Sequence, residues 1–210
     1  MPAWLTSGPR WVRPLVGVLA AALVFTVGYA TSSLVRQAST PGTDSVEAGF
    51  ARDMSTHHAQ AVEMALIAYP KVTRTEVRTI AYDVATSQEY QIGQMNTWLV
   101  DWHLSPNSDR PPMAWMPNGT KELSPAGLMP GIATNAQLDQ LKSATGKQAD
   151  ILFLQLMIRH HLGGIHMIDG LLAKSHDAQV RTAAEGMRAN QSSDVDAMQK
   201  LLSDLGASVN

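Results

Sequence analysis

The sequence predicts an all-α protein, a four-helix bundle of two repeated antiparallel hairpins preceded by one N-terminal membrane-spanning helix. The first observation is an internal repeat: 13 of the 50 positions from Phe50 to Leu99 recur 103 positions later without a gap. Average residue frequencies would give about three matches by chance. The second is apolar spacing of three and four residues within each copy, which is typical of helices. The third is an uncharged run of 21 residues near the N-terminus.

That uncharged run, residues 15–35, is predicted to be a transmembrane anchor because it is long enough to cross a bilayer. Residues 1–14 contain Arg10 and Arg13 and no acidic residue. This charge bias predicts a cytoplasmic N-terminus and places the rest of the chain outside the cytoplasm. We therefore expect a single-pass protein of the cell membrane.

A cleavable signal peptide is the alternative interpretation of the same run. The small residues Gly28 and Ala30 have the usual cleavage spacing. The anchor is favoured because the apolar run is longer than an ordinary signal core, whereas cleavage would give a secreted protein. Residues 36–43 are expected to form a linker to a helical domain over residues 44–210.

The first repeat, residues 44–104, is predicted to be a helical hairpin. Its first helix starts at about residue 44 and is stopped by Pro70. The second helix is predicted to begin at Thr73, with Glu76 completing a capping box, and to end near His103. A loop of only a few residues requires the two helices to lie antiparallel.

The second repeat, residues 147–206, follows a long crossover over residues 105–146. The crossover is rich in proline, and its run 111–117 has the composition of an exposed loop. A short helix is expected to start at Thr134 with Gln137 as its capping partner. Two antiparallel hairpins joined by one long crossover have ferritin-like connectivity.

Composition excludes several classes of function. The net charge is -2 and the basic residues are scattered, so nucleic acid is not an expected partner. The chain has no cysteine, which excludes disulfides, thiolate catalysis and thiolate metal sites. Soft-metal chemistry would have to use the 11 methionines and 7 histidines.

Each repeat places two adjacent histidines on or beside the inward face of its first helix. These are His57 and His58 in the first copy and His160 and His161 in the second. A single histidine on an apolar stripe is usually a hydrogen-bonded core residue. Four buried imidazoles in one small core are costly unless their nitrogens find partners, and a metal ion would supply them. The doubled pair therefore favours a metal site.

Other repeated residues lie close to these histidines. Met54 lies one turn before the first pair, where its sulfur and either ring can bind the same metal ion. Met157 has the same place in the second copy. Counting from the hairpin turn places Gln88 at the height of the first pair and Gln191 at the height of the second. These glutamines are predicted to orient the histidine rings.

The doubled motif resembles the domain of unknown function 305 family. The resemblance covers about residues 44–205 and is carried by Asp53-Met54-x-x-His57-His58-x-x-Ala61-x-x-Met64, Met129-Pro-Gly-Ile-Ala-Thr and Phe153-Leu-x-x-Met157-Ile-x-His160-His161-x-x-Gly164-x-x-Met167. Members are bacterial, ferritin-like and commonly exported or membrane-anchored, and some are linked to copper or silver binding through Met and His. The resemblance implies ligand roles for Met54, His57, His58, Met64, Met157, His160, His161 and Met167.

The two halves are not identical, because Leu156 stands where the first copy has Asp53. Asp53 is predicted, with the repeated glutamines, to support the ligands rather than to bind the metal.

No Glu-x-x-His sequence occurs, so the usual dinuclear carboxylate site of ferritin-like proteins is not expected. The remaining imidazole and thioether donors favour copper, particularly Cu(I).

These observations predict an exported metal-binding protein that binds copper or silver for buffering, resistance or delivery. No catalytic residue or substrate pocket is predicted, so we do not expect an enzyme. The first alternative is a metal-free interaction module in which a lid of Met113, Met116 and Met129 recognises a protein partner outside the cytoplasm. The second is a hydrolase that uses a histidine-bound metal and water.

Overall fold

The structure is a computed structural model that describes residues 12–38 and 40–209. The predicted cytoplasmic segment falls mostly on residues 1–11, outside the described part of the chain. The chain divides into two compact units, Met1–Thr40 and Pro41–Asn210.

The first unit contains helix α1, Val12–Ala38. Its stretch Pro14–Thr31 has a mean hydropathy of 1.8 and is long and apolar enough to cross a membrane, although a signal sequence has the same properties. The hydroxyls of Thr26 and Thr31 donate to carbonyls of their own helix. These bonds leave no unpaired hydroxyl of either threonine on an apolar surface.

The second unit is built from four long helices and one short helix. They are α2 (Val46–Ala68), α3 (Thr75–Asp101), α4 (Asn135–Ser143), α5 (Gly146–Leu172) and α6 (Ala178–Asp204), with a 3-10 turn at Gly119–Lys121. Helices α2 and α3 pack together, as do α5 and α6, and the two hairpins meet mainly where α2 packs on α5. The predicted all-α fold of two hairpins is confirmed, and no strand occurs among the described residues.

The repeated arginines close the two hairpin turns in the same way. The guanidinium of Arg78 donates to the carbonyl of Val72 at 2.6 Å. The guanidinium of Arg181 donates to the carbonyls of Leu172 at 2.6 Å and Ser175 at 3.0 Å. Carbonyls at a helix end and in a turn have few backbone partners, so these charged donors stabilise both turns.

A buried carboxylate of one hairpin holds the turn of the other. Asp150 of α5 is fully buried and accepts from the Thr73 amide at 2.9 Å, the Thr73 hydroxyl at 2.6 Å and the Arg74 amide at 3.3 Å. The predicted capping box at Thr73 is therefore wrong. Helix α3 begins at Thr75, and its N-cap Arg74 makes no side-chain capping bond. The hydroxyl of Thr73 donates to Asp150 and so does not cap the helix. At the equivalent place, the Ser175 hydroxyl donates to Glu47 at 2.6 Å.

Short-range predictions elsewhere agree with the structure. Thr134 and Gln137 form the predicted capping box at the start of α4. Just after α6, Gly206 has a φ of +72°, a left-handed conformation that commonly ends a helix.

The apolar core consists of two clusters with the histidines between them along the chain. On α2, Phe50 and Met54 belong to one cluster, and Met64 belongs to the other. On α5 the order is reversed, with Met157 in the cluster of Met64 and Met167 in the cluster of Met54. The reversed order is that of two antiparallel helices related by a pseudo-twofold axis near the histidines.

The large apolar side chains of the crossover run are buried, whereas its prolines are exposed. Met113 is 0% exposed, and Trp115 and Met116 are each 9% exposed and join the cluster of Phe50. Trp115 packs edge-on against Phe50, with ring centroids 5.8 Å apart. The expectation of an exposed loop is corrected, because its apolar side chains complete the core at this end of the bundle.

Candidate metal centre

One histidine from each repeat meets its equivalent in the core. His57 of α2 and His160 of α5 are each 1% exposed. Their ring centroids lie 3.8 Å apart, with an interplanar angle of 37°. At this separation the two rings are close enough to serve one site.

The second histidine of each pair turns toward the other helix of its own hairpin. His58 Nε2 donates to Gln91 Oε1 at 2.7 Å. His161 Nε2 donates to Asp194 Oδ2 at 3.2 Å. Both rings are fully buried, and the two partners are 103 positions apart, so the repeat extends to these contacts although the residue types differ.

Each of the four rings has one nitrogen with no hydrogen-bond partner in the described structure. These nitrogens are His57 Nδ1, His58 Nδ1, His160 Nε2 and His161 Nδ1. Leaving a buried polar atom unpaired costs about 1–3 kcal/mol. Each of the four buried rings therefore carries a nitrogen whose lone pair or proton lacks the partner that a buried group normally has.

Burial keeps the central imidazoles uncharged. It lowers the pKa of His57 to about 4, against a smaller opposing effect of its bond to the Pro130 carbonyl. It lowers the pKa of His58 to about 3, with a further lowering by the nearby His57 ring. The pKa of His160 is also lowered, first by burial and then by its histidine neighbours. Neutral imidazole is the form that binds metals, so at neutral pH these three rings need lose no proton to become ligands.

A segment of the crossover, residues 129–133, lies directly over the histidine pair, and we call it the strap. The Pro130 carbonyl accepts a hydrogen bond from His57 Nε2 at 3.0 Å. The Gln60 side chain holds Ala133 by two bonds, donating to its carbonyl at 2.9 Å and accepting from its amide at 2.7 Å. The strap thus determines which nitrogen of His57 remains available.

Two glycines allow the strap to approach the helices so closely. A Cβ at Gly163 would overlap the Pro130 carbonyl. Gly131 has a φ of +82°, and a Cβ there would crowd the backbone of α5 beside His160. Both positions therefore require the absence of a side chain.

The four predicted methionine ligands, Met54, Met64, Met157 and Met167, are all fully buried. Met54 and Met167 belong to one apolar cluster and Met64 and Met157 to the other. The thioethers therefore lie on both sides of the histidines along the bundle axis, in the core and not on the surface.

The predicted supporting residues have other surroundings. Gln88 is 3% exposed with no partner for Oε1, and neither amide atom of Gln191 has a partner. Neither glutamine has a described hydrogen bond to a histidine. The Gln191 amide occupies the space left by Gly164, where a Cβ would overlap it.

Asp53 holds the crossover instead of supporting a ligand. Its carboxylate accepts from the Met113 amide and from Trp115 Nε1, both at 2.7 Å. Burial raises its pKa, although these two hydrogen bonds and nearby Arg52 act in the opposite direction. The side chain therefore connects α2 to the buried part of the crossover.

Sequence reasoning missed Gln91, Asp194 and Pro130 as the partners of the histidines. Helix α3 begins at Thr75 and not at Thr73, so counting from the predicted start pointed to Gln88, one turn before Gln91. The repeat offset was a usable signal, because positions 91 and 194 both carry a hydrogen-bond acceptor. No local signal indicated Pro130, which is 73 residues from His57.

The fit of a metal ion depends on the donor types and on the ring spacing. Among the residues described, no three His, Asp or Glu side chains converge as a metal-binding group. With metal–nitrogen bonds of about 2.0–2.1 Å, two imidazoles on one tetrahedral ion have centroids about 5 Å apart. The observed 3.8 Å is the spacing of a stacked pair. The donors fit a soft ion, but the two central rings would have to move about 1 Å further apart for both to bind it.

Comparison with solved structures reveals close relatives. A DUF305 protein from Streptomyces coelicolor that is described as secreted is 42% identical, with a TM-score of 0.73 over 80% of this chain and 99% of that chain. A DUF305 fragment from Deinococcus radiodurans is 29% identical, with a TM-score of 0.63 over 76% and 96% of the two chains.

CopM has a similar fold at lower identity. Its Cu(II)-bound form is 23% identical, with a TM-score of 0.59 over 76% of this chain and 97% of that chain. Its Cu(I)-bound form is 24% identical, with a TM-score of 0.56 over 78% and 98%. No curated protein matches this chain.

The family comparison agrees with the resemblance inferred from the repeated motif. The model of the family described as "Domain of unknown function (DUF305)" matches residues 47–202, which include both histidine pairs and the crossover. The chain belongs to the DUF305 family.

Proposed function

We propose that the domain binds a copper ion between its two hairpins, outside the cytoplasm, and buffers or delivers it. The observation that carries this proposal is the set of four buried histidines, each with one unpartnered nitrogen. A purely structural histidine normally has its polar atoms paired. Copper-bound forms of CopM, which has a similar fold, support the choice of metal.

The proposed ligands are drawn from a set larger than one ion can use, the nitrogens of His57, His58, His160 and His161 and the sulfurs of Met54, Met64, Met157 and Met167. Imidazole and thioether donors prefer copper to magnesium or calcium, and thioether favours Cu(I) in particular. The bound ion would occupy an apolar interior, where neutral donors avoid the cost of burying a carboxylate. This environment suits storage or transfer of the ion, and we propose no catalytic role.

The protein-interaction alternative loses the feature on which it was based. It required an accessible lid of methionines, but Met113, Met116 and Met129 are 0%, 9% and 7% exposed. These side chains pack in the core and offer little surface to a partner.

We propose that α1 anchors the domain in the membrane. The stretch Pro14–Thr31 has no charged residue, a mean hydropathy of 1.8 and enough length to span a bilayer. An anchored domain would bind copper at the membrane surface, and a cleaved one would bind it in solution.

The decisive experiment removes the central pair in His57→Ala/His160→Ala and measures Cu(I) affinity by chelator competition. Mutation of a residue that only hydrogen-bonds a metal ligand typically lowers affinity by about 10–100-fold. Loss of two ligands should lower the Cu(I) affinity by more than this. His166→Ala is the matched control, because His166 belongs to the second repeat but is exposed and bonded to Glu122. Its affinity should equal that of the wild type.

The same variants separate binding from packing. If the central histidines are ligands, the metal-free double variant should stay folded, because it no longer buries two imidazoles with unpaired nitrogens. If they are structural, it should lose about 2–5 kcal/mol with or without copper. Unchanged Cu(I) affinity in the double variant would reject the proposed site.

A further inference from the structure

The two outer histidines are held by the same geometry but by different chemistry. His58 and Gln91 are 33 residues apart, as are His161 and Asp194. Each contact joins the first and second helix of one hairpin, at positions that the repeat makes equivalent. One acceptor is a neutral amide oxygen and the other is a carboxylate.

Both contacts select the same ring nitrogen. Gln91 Oε1 and Asp194 Oδ2 can only accept, so each must receive the Nε2 proton of its histidine. The lone pair then lies on Nδ1, and Nδ1 is the atom without a partner in both His58 and His161. Gln91 and Asp194 thus determine which nitrogen carries the proton and which keeps its lone pair.

The acceptors differ in the charge that they bring to the centre. A carboxylate behind an imidazole increases the basicity of the opposite nitrogen, and its negative charge attracts a dication more strongly than a monocation. Asp194 is partly exposed, with 38% of its side chain accessible, whereas His161 is fully buried. Solvent screens the carboxylate in part, but the ring lies in the low-dielectric interior.

We propose that Gln91 and Asp194 are positioning residues that present Nδ1 of the outer histidines to copper, and that Asp194 makes the second half the preferred donor for Cu(II). This inference rests on the proposed copper site and adds that the two halves differ in their preference for the copper oxidation state. The His161 half holds the dication, and the His58 half, behind a neutral amide, discriminates less against the monocation.

The test replaces each acceptor by its isosteric counterpart in the full-length chain in detergent. Asp194→Asn should weaken Cu(II) binding by about 10–100-fold while Cu(I) affinity stays within about threefold. Gln91→Glu should strengthen Cu(II) binding relative to Cu(I). Asp196→Asn is the control, because this exposed carboxylate lies two positions further along the same helix, and it should change neither affinity.

Imidazole ¹⁵N NMR on the metal-free chain tests the positioning independently of copper. Wild type should show His58 and His161 as the Nε2-protonated tautomer, and Asp194→Leu should release that preference for His161 alone. Equal loss of Cu(I) and Cu(II) affinity in Asp194→Asn would overturn the inference, as would Nδ1 protonation in the wild type. Absence of copper binding by the wild-type chain would reject the proposed function, while the tautomers would still decide the positioning role.

Discussion

Acid should destabilise the metal-free domain through its buried histidines. The pKa of His57 is lowered to about 4 and that of His58 to about 3, from an ordinary value of 6.5. The unfolded chain binds protons on these rings as the pH falls through about 6.5, but the folded chain binds them only near pH 4 and 3. Unfolding therefore takes up protons within this window, and the free energy of unfolding falls as the pH falls.

The expected loss is large compared with the stability of an ordinary domain. At pH 5 each ring is about 1.5 pH units below its unfolded pKa, which corresponds to about 2 kcal/mol at 1.36 kcal/mol per unit. His57 and His58 together contribute about 4 kcal/mol, against the total of about 5–15 kcal/mol typical of a domain. His160, whose pKa is also lowered, acts in the same direction.

Urea unfolding of the metal-free domain at pH 7.5, 6.5, 5.5 and 5 measures this loss. The free energy of unfolding should fall by about 4 kcal/mol or more over the series. Its slope against pH should approach the uptake of two protons on unfolding, one each by His57 and His58. His57→Ala should reduce the slope by one proton. A flat profile would refute the reasoning, since it would mean that these rings are not buried and neutral.

Three further predictions concern the strap, the hairpin turns and the anchor. Gly163→Ala should cost about 1–3 kcal/mol in urea unfolding because the new methyl overlaps a strap carbonyl, whereas Gly186→Ala, in open space on α6, should be neutral or stabilising. Asp150→Ala should cost about 2–4 kcal/mol because it removes the buried acceptor of the Thr73 amide and hydroxyl and the Arg74 amide, and Asp139→Ala, at an exposed site, should stay within about 0.5 kcal/mol. A reporter fused to the C-terminus should be active only outside the cytoplasm, and N-terminal sequencing of the exported protein distinguishes the anchor from a cleaved signal.

Local patterns were sufficient for the fold. Helical spacing and the gapless repeat predicted two hairpins, and the structure has helices at the expected places. The capping box at Thr134 was also predictable, because it involves residues three positions apart. The predicted box at Thr73 was wrong because its hydroxyl bonds to Asp150, 77 residues away. A cap can be predicted from neighbouring residues only when no distant side chain competes for the same group.

The sequence by itself determined the helix face that carries the histidines and the equivalence of the two halves, since helical periodicity decides the face on which a side chain lies and a repeat pairs each residue with its counterpart. Only the tertiary structure decided what each ring nitrogen contacts. Gln91 and Asp194 meet the outer histidines because the true start of α3 and of α6 sets the register of each hairpin. Pro130 reaches His57 because the crossover folds back over the bundle. These contacts depend on the position of one element relative to another along its axis, and a shift of one helical turn leaves the pattern of buried faces unchanged while it replaces every hydrogen-bond partner.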